Sequence, residues 1–80
     1  MFGRDRILKA QTHSRFVVTM KSGAAFDGLL HAIDDRIYEL VDAYAVDTTE
    51  RSRVDGHLFL ARNDVAFMQL PGVVAGAIAQ

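Results

Sequence analysis

The 80-residue sequence contains no cysteine and a single proline. Without cysteine, disulfides and thiolate metal sites are excluded as supports for so small a domain. The absence also fits a reducing compartment, so a cytoplasmic location is expected. There is no apolar run of membrane-spanning length. The longest near the C-terminus, VVAGAIA at 73–79, falls far short of the roughly 20 residues a spanning helix needs. The N-terminal MFGRDRILKAQ is charged and has no apolar leader core. No excess of one charge sign is present either: 9 Lys and Arg stand against 10 Asp and Glu. That balance argues against a generic coat for nucleic acid.

What is present suits one small folded domain. Half of the residues are apolar, too many for a disordered tail. A chain of this length buries a modest core, and such domains often gain stability from a partner subunit. The charge is unevenly distributed. Residues 1–23 carry Arg4, Arg6, Lys9, Arg15 and Lys21 against Asp5, a net +4, whereas residues 24–80 carry four arginines against nine acids, a net −5. An assembly of such chains has the means to present one basic face; a solvated basic helix is the plainer reading.

The pattern along the chain predicts a short helix from Gly3 to about Gln11, with Phe2, Ile7, Leu8 and Ala10 loosely on one side. In SRFVVTMK, Phe16, Val18 and Met20 alternate with Arg15, Val17, Thr19 and Lys21, the period of a strand. KSGA is a tight turn with Gly23 free to take positive φ. A second strand follows in AFDGLLHAI, with Phe26, Leu30 and Ala32 on one face and Asp27, Leu29, His31 and Ile33 on the other. IYELVDAY reads as a third strand, with a short helix as the alternative. AVDTTERSRVDG is polar throughout and is expected to be the longest loop. HLFLA and VAFMQL are the fourth and fifth strands, separated only by the sharp corner RND, and Pro71-Gly72 ends the last. A helix followed by five short strands predicts a mainly β fold, a small and strongly bent barrel. A sheet that short closes only if a strand bends sharply, and Gly28, inside an apolar run, is the expected bend.

These features, in this order, resemble the Sm-like family of Sm, LSm and Hfq proteins. The first family motif is G-x-x-x-x-G-x-L-x-x-hydrophobic-D, met here by Gly23, Gly28, Leu30, Ile33 and Asp34. The second is met in LARNDVAFMQLP by Leu60, Ala61-Arg62, Asn63-Asp64, Val65, Met68 and Pro71. This second motif is similar to that of small Sm-like proteins encoded by bacteriophages of actinobacteria. The resemblance implies a single domain over residues 1–72, an open five-stranded SH3-like barrel, with 73–80 as a C-terminal tail. It also implies a homo-oligomeric ring in which the fourth strand of one subunit pairs with the fifth of the next. Leu58, Phe59, Leu60, Phe67 and Met68 would then form the subunit interface.

The resemblance further implies a ligand, RNA or single-stranded DNA, held at the ring's inner rim without catalysis, cofactor or metal. The expected contacts are Asp34, Arg36, Ile37, Tyr38, Arg62 and Asn63, with Arg4, Arg6 and Lys9 as an alternative surface on the helix. Two departures alter that pocket. Tyr38 stands where the family has the asparagine that reads a base edge, and Ala61 and Arg62 stand where the family has arginine and glycine. What survives, an aromatic face and two guanidinium groups, suits a strand held without sequence readout. The competing reading places Tyr38 in the core and pairs Arg62 with Asp64 or Asp35. A second class of function follows from it: a structural or protein-binding ring, serving phage assembly or regulation, with a protein partner the sequence does not name.

Other chemistry has little support. His13, His31 and His57 lack the spacing of metal ligands. Asp34-Asp35 are adjacent and point apart, as acidic turns do, so no acid–base pair is expected. Nucleophile triads, phosphate loops and cofactor fingerprints are absent, and no membrane association is expected.

Overall fold

A computed structural model describes residues 2–47 and 49–71; the side chains of 2–4 are outside the description. The elements are helix α1 (Phe2–Ala10) and strands β1 (Arg15–Met20), β2 (Ala25–Ile33), β3 (Ile37–Val46), β4 (Arg51–Val54), β5 (Leu58–Ala61) and β6 (Val65–Gln69). A one-turn 3-10 helix, Arg62–Asp64, forms the corner between β5 and β6. All pairings are antiparallel. The sheet runs β4-β3-β2-β1-β6, and β5 lies along the other half of β3 beside β4. The expected mainly β architecture with a leading helix is what forms. The expected tail 73–80 lies outside the described residues.

The alternation read in β1 sets its register. Phe16 and Val18 are buried, and Met20 packs against the same core. Gly23, at φ 98°, closes the β1–β2 turn, where its N–H donates to the Met20 carbonyl at 2.9 Å. The core comprises Phe16, Val18, Leu30, Tyr38, Leu40, Ala43, Leu60 and Val65, with Leu8 of α1 packed against it. Burying one such large apolar side chain contributes about 1.5–3 kcal/mol.

Gly28 lies at the bend, and the reason is a close approach. The β2–β3 register shifts between Asp27 and Leu29, and on the β3 side Asp42 takes φ 50°. A Cβ on Gly28 would lie 3.1 Å from both Cα and Cβ of Ala43 and 3.2 Å from Cβ of Leu40. An ionic network clamps the opposite side of this bulge. Arg15 donates to the Asp42 carbonyl at 3.1 Å, to its carboxylate at 2.5 Å and to Asp27 at 2.5 Å. Arg51 donates to both carboxylate oxygens of Asp27, at 2.9 and 2.8 Å, and stacks 3.9 Å from the centre of the Tyr44 ring. Arg51 and Arg15 therefore hold the Asp27 carboxyl below its ordinary pKa, against the opposing effect of burial.

Four expectations are corrected. The polar segment expected as a loop contains β4 and the end of β3. Arg51 pairs with the buried Asp27 and stacks on Tyr44, Arg53 reaches Asp42, and Val54 packs on the core, so a polar sequence is held as an edge strand. The sheet consequently has six strands rather than five. Ala32 is exposed instead of sharing a face with Leu30, because the register slips again between them. On α1, Ile7 is 65% exposed and Ala10 is exposed as well, so neither lines the core.

Candidate nucleic-acid interface

Two turns meet at one end of the barrel. The β2–β3 turn is shaped by Asp34, whose Oδ1 accepts the N–H groups of Arg36 at 2.8 Å and Ile37 at 2.7 Å. Those two donors pull the exposed Asp34 carboxyl below its ordinary pKa. The corner between β5 and β6 is joined to this turn by the Arg62 N–H, which donates to the Arg36 carbonyl at 2.9 Å. β5 itself lies on the first half of β3, pairing Leu60 with Tyr38 and Ala61 with Ile37.

Arg62 is the centre of this junction. Its Nη1 donates to the Asp34 carbonyl at 2.6 Å, and its guanidinium carbon lies 4.9 Å from the centre of the Tyr38 ring. From the other side α1 supplies Asp5, whose two carboxylate oxygens lie 2.8 and 3.4 Å from Nη2 and Nη1. Asp5 is the main reason the guanidinium is held even further above its ordinary pKa. Charge-assisted, two-point contacts of this kind fix both position and orientation.

Asp34, Arg36, Ile37, Tyr38, Arg62 and Asn63 thus come together, with unequal access. Arg36, Asn63 and the edge of Ile37 are exposed. Tyr38 is 1% exposed, so its ring is a floor beneath Arg62 and offers no free face to a base. Arg6 and Lys9 are exposed on α1; the side chain of Arg4 lies outside the description. Asp5 is the residue that sequence reasoning missed. Its signal was present as the one acid in an otherwise basic first segment.

The residues expected at a subunit contact also divide. Phe59 and Phe67 are 60% and 51% exposed, on β5 and β6 respectively. Leu60 is buried in the chain's own core, and Leu58 and Met68 pack against it. Ile7, Leu8, Ala66, Phe67 and Met68 line an apolar groove of about 530 Å³ between α1 and β6.

The three histidines, remote in sequence, stand side by side. His13–His31 and His31–His57 ring centres are each 5.9 Å apart, and His57 Nδ1 contacts the Glu39 carboxylate. Among the described residues no group of three or more His, Cys, Asp or Glu is arranged to hold a metal ion. Nor is any described helix long and apolar enough to cross a membrane.

No protein-family model and no curated protein matches the sequence. Solved structures do match. A heptameric archaeal Sm protein superposes with a TM-score of 0.74 at 17% identity, over 81% of this chain and 96% of that one. The Sm-like protein AF-Sm2 from Archaeoglobus fulgidus gives 0.71 at 25% identity, over 82% and 91%. The Pyrococcus abyssii Sm protein, solved in complex with a uridine heptamer, gives 0.72 at 21% identity, over 80% and 92%. Near-complete coverage of three Sm and Sm-like chains, with the bent sheet and leading helix described above, establishes that this chain has the Sm fold.

Proposed function

We propose that the chain is a member of the Sm-like family and assembles into a homo-oligomeric ring that binds RNA or single-stranded DNA without catalysis. The carrying observation is the pair of edges. Among the described residues β5 hydrogen-bonds only to β3 and β6 only to β1, and each edge exposes a phenylalanine. An exposed strand edge invites either aggregation or deliberate pairing. Edge-to-edge pairing of β5 in one copy with β6 in the next is head-to-tail, and such contacts close into rings when the rotation per subunit allows. Phe59, Phe67 and the groove beside Ile7 supply apolar area for that contact, with Leu58, Leu60 and Met68 supporting it from within. Residues 1–72 act as one domain. The heptameric archaeal protein is the precedent for a ring and the uridine-bound Pyrococcus protein for a ligand.

In this reading the ligand meets Arg36, Ile37, Arg62 and Asn63 where the two turns join, with Asp34 holding the turn and Tyr38 supporting Arg62 from below. Because Tyr38 is buried, recognition rests on phosphate charge more than on base stacking, and selectivity among bases is low. Repetition around the ring supplies affinity by avidity. Arg4, Arg6 and Lys9 offer a second basic surface on the helix side. The setting is cytoplasmic, with no cofactor.

Two observations favour a different class of function, a protein-binding scaffold of phage assembly or regulation: Arg62 already has an anionic partner in Asp5, and net charge is −1. Fluorescence anisotropy of labelled oligo-U, oligo-A and single-stranded DNA at two salt concentrations separates the two. The nucleic-acid reading expects salt-sensitive binding that Arg36→Ala and Arg62→Ala weaken. No binding at micromolar ring concentration sinks it and leaves the scaffold.

A further inference from the structure

The Arg62 guanidinium is built as an anion receptor and is already filled from within. Its Nη1 is anchored on the Asp34 carbonyl, and its plane is supported by the buried Tyr38 ring. Those two contacts orient it without neutralising it. The charge is met by Asp5, on an element 57 residues away in sequence, through a two-point contact of the geometry a phosphate would make. The Arg62 side chain is 13% exposed and that of Asp5 26% exposed, so the carboxylate covers the guanidinium from the solvent side of a partly open site.

We propose that Asp5 is a built-in competitor for the anionic ligand of Arg62, so that α1 sets the affinity of this site for the phosphates of single-stranded nucleic acid. The inference rests on the nucleic-acid reading of the ring. A phosphate oxygen and the Asp5 carboxylate need the same two N–H groups, and like charges repel, so one must leave before the other is bound. The Asp34 carbonyl and the Tyr38 ring keep Arg62 in place while the exchange occurs. Asp5 is thereby a specificity-determining residue: only a ligand with enough phosphate contacts around the ring displaces it.

The test uses the full chain as a ring, with labelled oligo-U, and Asp5→Asn, which keeps the side chain's shape and removes its charge. Asp5→Asn is expected to bind about tenfold more tightly than wild type, the scale of one charge-assisted hydrogen bond. Its plot of log affinity against log salt keeps the wild-type slope, because Arg62 meets a phosphate in both bound states. Adding Arg62→Gln to Asp5→Asn abolishes the gain in affinity and lowers the slope by about 0.7, one phosphate contact. A merely structural tie predicts a lower melting temperature with unchanged or weaker binding, and that result overturns the proposal while leaving wild-type binding intact. If neither wild type nor Asp5→Asn binds, the nucleic-acid reading falls and takes the proposal with it. Should the variant misfold, NMR of the wild-type Arg62 side chain decides: its signals shift on oligo-U addition if Asp5 is displaced, and bound oligo-U with unshifted signals overturns the proposal.

Discussion

Gly28 and Ala43 approach so closely that a methyl group on the first would stand 3.1 Å from the Cα of the second. The Ala43 Cα and Cβ and the Leu40 Cβ it would meet are fixed to β3, so only a shift of that strand relieves the contact. Gly28→Ala is therefore expected to cost about 1–3 kcal/mol, the range for overpacking a tight core. Urea unfolding checks this, and a midpoint equal to wild type would show that β3 yields at the bulge.

The same bulge depends on Arg15 from outside the core. Asp42 sits at φ 50°, a region non-glycine residues seldom adopt, and Arg15 holds both its carbonyl and its carboxylate. Removing Arg15 also takes one of two arginines from Asp27. The Arg15 side chain is a third exposed, so solvent screening limits the loss. Arg15→Ala is expected to destabilise by about 1–2 kcal/mol in thermal or urea melts, with Asp42→Gly in the same background recovering part of it.

Acid should weaken the fold in a defined direction. The folded-state pKa of Asp27 is depressed, chiefly by Arg51. Its contribution is therefore present above the unfolded value of about 3.9 and is lost as pH falls through the lower folded value. Urea midpoints of wild type at pH 7, 5 and 3 should hold between the first two and drop at the third. Asp27→Asn should start lower and show a smaller drop over the same interval.

Tyr38 is the floor of the candidate site and part of the core at once. Tyr38→Ala is expected to cost about 3–5 kcal/mol, as for other large aromatics. Tyr38→Phe keeps the ring under Arg62 but loses the hydroxyl's contact with the guanidinium, and should cost about 1–2 kcal/mol in the same melts. It should bind oligo-U as wild type does, since the ring acts by supporting the guanidinium and not by reading a base.

How much of this was legible in the sequence depends on the range of the interaction. The β1–β2 turn at Gly23 and the extent of β1, Arg15–Met20, follow from local chemistry: a glycine at positive φ and a β-branched, alternating pattern. The bend at Gly28 was visible as a glycine in an apolar run, but its cause, Ala43, lies on the next strand. β4 was not legible, because Arg51 and Arg53 look like loop residues until Asp27, Asp42 and Tyr44 are placed beside them. The Asp5–Arg62 pair was hidden by a separation of 57 positions in sequence, and proximity in sequence pointed instead to Asp64 or Asp35.

Native mass spectrometry of the full chain with a uridine oligomer tests the central claim most directly, since one spectrum reports assembly and ligand together. The account predicts a single closed assembly of several chains that carries the oligonucleotide, with the bound fraction falling as salt is raised. A mass of one chain, free of oligonucleotide at micromolar concentration, would contradict it.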